Sequence, residues 1–411
     1  MKKWLFFFSF IAIKSISYGQ SVTLQYYIDQ SLANSPLLKD YRNQILAAKI
    51  DSQRIRALYK PQVTGTSNNF YAPVINGYGY DPVVTNNGSY NALLNVDQAF
   101  IGRRNLNAQF ASIHLQNDSF SNTGRITEQE LIRTVTNQYI TAYGDLQQLN
   151  LNTEINELLK NEDTILRKLT QSNIYRQTDY LTFKVTLQQQ QLQLRQLNIQ
   201  YQTDYSTLNY LCGIYDTAYV TLSPPAITLQ DLPDRATSIH FRQYSIDSLK
   251  LMNTITVLNY SYRPKVNAYA NAGYNSSLLY QSYKNFGTGV GLNLNVPIYD
   301  GHQRKLLFEK IKLQENTRAN YQDFFIRQYS QQTVQLRRQL RLTEDLINDI
   351  NEQIKYSETL IKVDGKLMET GDTRISDFVI AINNYLNARN LLAQNNISRM
   401  QIINQLNYWN R

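Results

Sequence analysis

Little in this chain has the spacing that catalytic chemistry needs. His114, His240 and His302 stand alone, with no second ligand at metal-binding spacing. The run Gly287-Thr288-Gly289-Val290-Gly291 lacks the Gly-Lys-Ser/Thr that would let it cradle a phosphate, and small residues on a strand account for it. No Ser/His/Asp or Cys/His arrangement is present, and scattered acids on long polar helices are ordinarily solvated faces. Cys212 is the sole cysteine, so no internal disulfide can form, and it reads as a small apolar packing residue. The residues therefore point to no enzyme, no cofactor and no metal site. What does stand out is a pair of words, Asp179-Tyr180 and Asp377-Phe378, each placed just after a turn and 198 residues apart. An aspartate there is a favourable cap and dipole partner for the helix that follows.

That offset runs through the whole chain. Leu208-Asn209-Tyr210 answers Leu406-Asn407-Tyr408 at 198, Gly102-Arg103 answers Gly301-His302 at 199, and Tyr59-Lys60-Pro61-Gln62-Val63 answers Tyr262-Arg263-Pro264-Lys265-Val266 at 203. So small a drift over such a length is the signature of a tandem duplication. The first copy is read as 21–212 and the second as 242–411, with a linker at 213–241.

The start, Met1-Lys2-Lys3 followed by the apolar run Trp4 to Ile13, is too short to span a bilayer and reads as an export signal over 1–20. No cysteine lies near its end, so a lipid anchor is not expected. The formal net charge of +9 is spread singly among Gln and Asn, without the basic block that nucleic-acid binding requires. No long apolar run follows the signal. The exported chain is then either soluble or crosses a membrane as β-strands.

Each copy carries the same elements in order. A helical stretch (Leu24 to Leu58, and 242 to 262) stops before a proline, Pro61 or Pro264, as the restriction on pre-proline residues requires. A strand pair follows, within 63–98 and 266–296. There Val266, Ala268, Ala270 and Ala272, and Val290, Leu292, Leu294 and Val296, alternate with Asn and Gly, while Tyr90, Ala92, Leu94 and Val96 share a face in the first copy. Alternation of apolar with small or polar residues over about ten positions fits a membrane-barrel strand, and an ordinary hairpin with one dry face fits too. Phe70, Tyr71, Phe100, Tyr274, Phe286 and Tyr299 stand at strand ends, where aromatic girdles belong; loops with Pro82 and Gln281 join the strands. Then come very long helices, 103–168 and 303–366, with apolar residues at intervals of seven: Leu151, Leu158, Ile165, and Leu340, Ile347, Ile354, Ile361. That period means coiled-coil packing. Gly124 is a candidate kink. Turns at Asn173 and Gly371 use the two residue types that accept a left-handed cap, and returning helices occupy 178–211 and 376–409.

Four strands per chain cannot close a barrel, and an open edge in lipid leaves backbone groups unsatisfied. If the strands are in a membrane, several copies must close one barrel. The repeated order of helix, strand pair, long helix, turn and returning helix resembles the outer-membrane efflux proteins of the TolC family. The resemblance is carried by Pro61 and Pro264, by Gly102 and Gly301, and by Gly371 with Asp377-Phe378. It covers essentially the mature chain.

The resemblance implies a mainly α fold: a TolC-like coiled-coil α-helical barrel continuous with a transmembrane β-barrel, built as a homotrimer with four strands from each protomer. It implies a passive exit duct in the outer membrane of a Gram-negative bacterium, with its helical part in the periplasm, outer-membrane lipid around the barrel, and a periplasmic adaptor and an inner-membrane pump as partners. It places a periplasmic gate at Asp179, Arg374 and Asp377, as an Arg374–Asp179 latch and an Asp377 ring. Ile380 and Glu369 depart from the family's gate pattern. The competing expectation is a periplasmic coiled-coil adaptor or structural protein with soluble hairpins.

Overall fold

The computed structural model describes residues 22–81, 83, 88–215, 219–231, 238–277 and 282–410. The expected export signal, the loop residues Pro82 and Gln281, and linker residues 232–237 lie outside the described residues. The helices are α1 Leu24–Asn34, α2 Pro36–Leu58, α3 Arg103–Gln171, α4 Gln177–Cys212, α5 Ile239–Ser261, α6 Gln303–Thr370 and α7 Ile375–Trp409. The strands are β1 Gln62–Tyr71, β2 Gly88–Phe100, β3 Lys265–Ser276 and β4 Phe286–Asn295.

Two sequence expectations are corrected here. The stretch from Leu24 to Leu58 is two helices, because Ser35 stands before Pro36 with ψ 116°. The pre-proline residue is pushed out of the α region, and proline then suits the first position of the next helix. The helix expected from 242 begins at Ile239. α3 runs unbroken through Gly124 for 69 residues, and a Cβ at that glycine would stand 3.5 Å from the Tyr41 Cβ, so the glycine admits a close neighbour. With α6 at 68 residues, each long helix extends about 100 Å at 1.5 Å per residue.

The chain forms two compact units, residues 1–36, 128–233 and 329–411 in the first, and 37–127 and 234–328 in the second. Each takes segments from both sequence copies, so the compact units are not the repeats.

In the first unit the ends of α3, α4, α6 and α7 share one core of Leu151, Ile155, Leu159, Leu166, Phe183, Leu187, Met368, Ile375, Phe378, Ile382 and Leu386. Side chains as completely buried as Phe183, Phe378 and Ile382 contribute roughly 1.5–3 kcal/mol each. Of the expected α6 seam, Leu340 and Ile354 are buried while Ile347 and Ile361 are half-buried. In α3 the buried stripe is wider. Leu151 is buried, but Leu159 and Leu166 replace Leu158 and Ile165 as the fully buried positions. The buried stripe runs from Leu151 through Ile155 to Leu159 in steps of four and on to Leu166 in a step of seven, and Leu158 packs half-buried at its margin.

Both turns close with the same backbone device. Asn173 (φ 60°) and Gly371 (φ 83°) are left-handed. After α3, Ile174 N–H bonds Leu169 O at 3.0 Å and Asn173 N–H bonds Thr170 O at 3.0 Å; after α6, Asp372 N–H bonds Leu367 O at 2.9 Å and Gly371 N–H bonds Met368 O at 3.3 Å. This pair of bonds satisfies carbonyls that the helix end would otherwise leave unpaired. Elsewhere in the unit Tyr27, Tyr139, Tyr201 and Tyr205 pack together with Cys212. The Tyr139 hydroxyl reaches Val22 O and Ser223 O at 2.9 and 2.7 Å, tying the described start of the chain to the linker. Burial pushes the Cys212 thiol up to about 12, which leaves it unreactive.

In the second unit the four strands form one antiparallel sheet in the order β1-β2-β3-β4. The register separates the two faces. Val96 lies opposite Ala270, which lies opposite Val290; Phe100 lies opposite Val266 and then Leu294. On the other face Thr64, Asn95, Asn271 and Gly289 form a row, as do Gln62, Asp97, Tyr269 and Gly291. One face is apolar, chiefly on β2, β3 and β4, and the other is polar.

Candidate functional site

Two places could carry function. One is the pair of turns in the first unit, and the other is the sheet in the second.

At the turns, Arg176 and Arg374 occupy the N-cap positions of α4 and α7, and neither side chain caps its helix. Asp179 and Asp377 fall three residues later, in the first turn, where a negative charge opposes the positive end of the helix dipole. Asp377 accepts a hydrogen bond from the Ser376 hydroxyl at 3.3 Å. Asp179, Arg374 and Asp377 are all exposed. Arg374 and Asp377 thus share one helix start, while Asp179 belongs to the other hairpin. Among the described residues no ion pair joins Arg374 to Asp179 within the chain.

A polar contact that joins the hairpins comes from Tyr175. Its hydroxyl lies 2.9 Å from Met368 O and 3.1 Å from Thr373 O, so the first hairpin donates to the backbone flanking the second turn. Ile174 closes the same approach, since its Cγ2 stands 3.0 Å from where a Cβ on Gly371 would be. Glu162 lies beneath. Burial pushes its carboxyl up, and Glu369 adds to this. Across the first hairpin, Lys184 bonds Asp163 at 2.6 Å, and this bond raises the Lys184 ammonium. Sequence reasoning missed Tyr175. The available signal was that it matches Thr373 at the offset of 198 while the backbone of the two turns is alike.

Higher in α3, Asp145 is 7% exposed and meets Asp204 of α4. The Gln138 amide donates to Asp204 Oδ1 at 3.0 Å, and Asp145 Oδ2 has no hydrogen-bond partner. Burial first, then the hydrogen bond and charge of Asp204, push the Asp145 carboxyl up to about 7. Such a pair holds one proton rather than two charges.

The sheet's apolar face is open to its surroundings. Val290 is 85% exposed, Leu292 75% and Leu294 62%. Strands of 10 to 13 residues match the roughly 9–11 residues that a tilted strand needs to cross hydrocarbon. On the polar face the glycines make room for larger neighbours. A Cβ on Gly291 would fall 2.4 Å from the Tyr269 ring, and one on Gly289 would fall 2.8 Å from Asn271 Oδ1. Both outer strands, β1 and β4, have an unpaired edge within the chain. The expected aromatic girdle needs one correction. Tyr274, Phe286 and Phe100 lie on the apolar face, but Phe70 pairs with Ser89 on the polar one.

Among the described residues no cluster of His, Cys, Asp or Glu could hold a metal ion, and no helix is long and apolar enough to cross a membrane. No family model matches the chain, and no curated protein matches it by sequence. Solved structures do. CusC aligns with TM-score 0.79 at 11% identity, covering 94% of this chain and 91% of CusC. The outer-membrane protein VceC from Vibrio cholerae aligns at 0.74 and 12% identity, covering 94% and 96%. The MtrE outer-membrane channel of Neisseria gonorrhoeae, in its open state, aligns at 0.77 and 12%, covering 94% and 88%. The chain has the TolC-like fold of these channels over nearly its whole length.

Proposed function

We propose that this chain is a TolC-family outer-membrane exit duct, in which three copies each give four strands to one twelve-stranded barrel. The observation that carries the reading is the sheet: one bare apolar face, one polar face, and two unpaired edges. An exposed edge in lipid costs several kcal/mol per unsatisfied backbone group, so the sheet is complete only when neighbouring copies supply the missing strands. Lipid then covers Val290, Leu292 and Leu294, and the Asn, Thr and Gly face lines a water-filled passage. The competing reading, an adaptor with soluble hairpins, would leave that apolar face in water.

The helical part stands in the periplasm, with the export signal directing the chain there. A periplasmic adaptor and an inner-membrane pump deliver the cargo, and this chain supplies the route without chemistry. The turns form the gate. Arg374 pairs with Asp179 of a neighbouring copy, and the Asp377 side chains converge as a ring that attracts cations. Among the described residues no acid within the chain forms an ion pair with Arg374.

The mass of the detergent-purified protein tests the assembly, and three chains per particle is the expected result. A water-soluble monomer would sink the reading. For the gate, Arg374→Ser combined with Asp179→Ala is expected to raise single-channel conductance, and an unchanged trace would remove the latch.

A further inference from the structure

We infer that residues 72–80, which follow β1, form a rigid aromatic lip bent over the polar face of the sheet and a binding site for planar aromatic solutes, cationic ones above all. The inference rests on the reading of that face as the lining of a passage.

The lip is a small hairpin of its own. Ile75 and Tyr78 exchange both backbone hydrogen bonds, at 2.9 and 3.0 Å. Between them Asn76 (φ 52°) and Gly77 (φ 84°) both take positive φ, the pattern that a type I′ turn demands. The returning arm is held close: a Cβ on Gly79 would sit 2.9 Å from Pro73 O and 3.0 Å from Val74 Cα, so only glycine fits. The backbone is therefore set before any solute arrives.

Its direction follows from the register. Phe70 belongs to the row of Gln62, Thr64, Thr66 and Asn68, whose partners across the strands are Asp97, Asn95, Leu93 and Asn91. Tyr80 packs its ring on Phe70, with centroids 6.0 Å apart and planes at 54°. The lip thus leans to the polar side and not to the side that lipid would cover. At the strand ends the apolar face has its own aromatics, Tyr71 opposite Gly88 and the pair Tyr274 and Phe286 at 6.1 Å.

The chemistry follows from what the lip presents. Tyr78 is 85% exposed and Tyr80 67%; from Asn69 to Tyr80 the chain carries no charge, and the first ion beyond is the acid Asp81. Aromatic faces attract flat rings, and they attract cations through the ring quadrupole. A solute leaving along the polar face meets these rings at the loop end of the sheet, opposite the end where α2 and α3 join it.

The test uses the full chain in planar bilayers with two probes of equal charge, ethidium (planar and aromatic) and tetraethylammonium (neither). Ethidium is expected to block the wild-type current at lower concentration than tetraethylammonium. Tyr78→Ser with Tyr80→Ser should raise the half-blocking concentration of ethidium about tenfold, as loss of a stacking contact does, and leave tetraethylammonium unchanged. Tyr78→Phe with Tyr80→Phe should keep the block. If the serine variant blocks like wild type, or the two probes block alike in wild type, the lip has no such role. A wild-type chain that carries no current overturns the duct and the lip together, so the two failures are distinct.

Discussion

The bundle of helix ends in the first unit and the sheet in the second handle apolar surface in opposite ways. Around Phe183 and Phe378 four helices close a dry core from one chain alone. Around Val290 and Leu292 an equally apolar surface is left bare, and the strands beside it end in unpaired edges. A chain can hold both only if the second surface meets something other than water. The contrast also separates what the chain folds by itself from what assembly must complete.

The largest expected effect lies on the closed side. Phe378→Ala removes a side chain that is 1% exposed, and should destabilise the helical bundle by about 3–5 kcal/mol, seen as a lower midpoint in denaturant. A shift within error would mean that the bundle is not the self-sufficient half.

The next test breaks the comparison from the other side. Leu292→Lys alters a residue that is 75% exposed. On a soluble surface such a change falls within about 0.5 kcal/mol, but on the lipid face of a barrel it costs about 2–4 kcal/mol. The variant should keep its helical circular dichroism and lose heat-resistant oligomers in detergent. Unchanged oligomers would say that this face never meets lipid.

A smaller effect concerns pH. The Asp145 carboxyl is raised in the folded chain to about 7, so the folded state binds its proton more tightly than the unfolded one. The stabilisation is full below the ordinary carboxylate pKa of about 3.9 and fades as pH rises to about 7. Asp145→Asn should flatten the stability profile between those limits and gain most above pH 7. A profile that keeps its slope would mean that Asp145 and Asp204 do not share a proton. The smallest effect is at the turns, where Tyr175→Phe removes one hydroxyl donor to the second hairpin and should cost about 1 kcal/mol. A loss that Arg374→Ser reproduced would shift the weight between the hairpins from Tyr175 to the arginine.

Much of the fold was legible because it is local or periodic. The left-handed caps at Asn173 and Gly371 were readable, since few residue types adopt that conformation. The strands were readable from alternation, which fixes faces without knowledge of the partners. Pro36 was legible too, yet the helical pattern on either side of it outweighed a single proline. In α3 a strict seven-residue count followed one margin of a wider buried stripe, which also runs through Ile155 and Leu159 in steps of four. Phe70 was legible in principle, since it stands seven residues from Val63 and period two puts the two on opposite faces. Tyr175 and Asp145 were not legible, because each depends on a contact between segments distant in sequence that no pattern within one helix encodes. The residues proposed for the gate came from the family resemblance, and the chain by itself gives them only exposed positions at two helix starts.

Ion conductance of the purified protein in a planar bilayer tests the central claim most directly. The account predicts discrete, long-lived conductance steps from a particle of three chains, abolished by Leu292→Lys. A protein that stays monomeric without detergent and adds no current to the bilayer would contradict it.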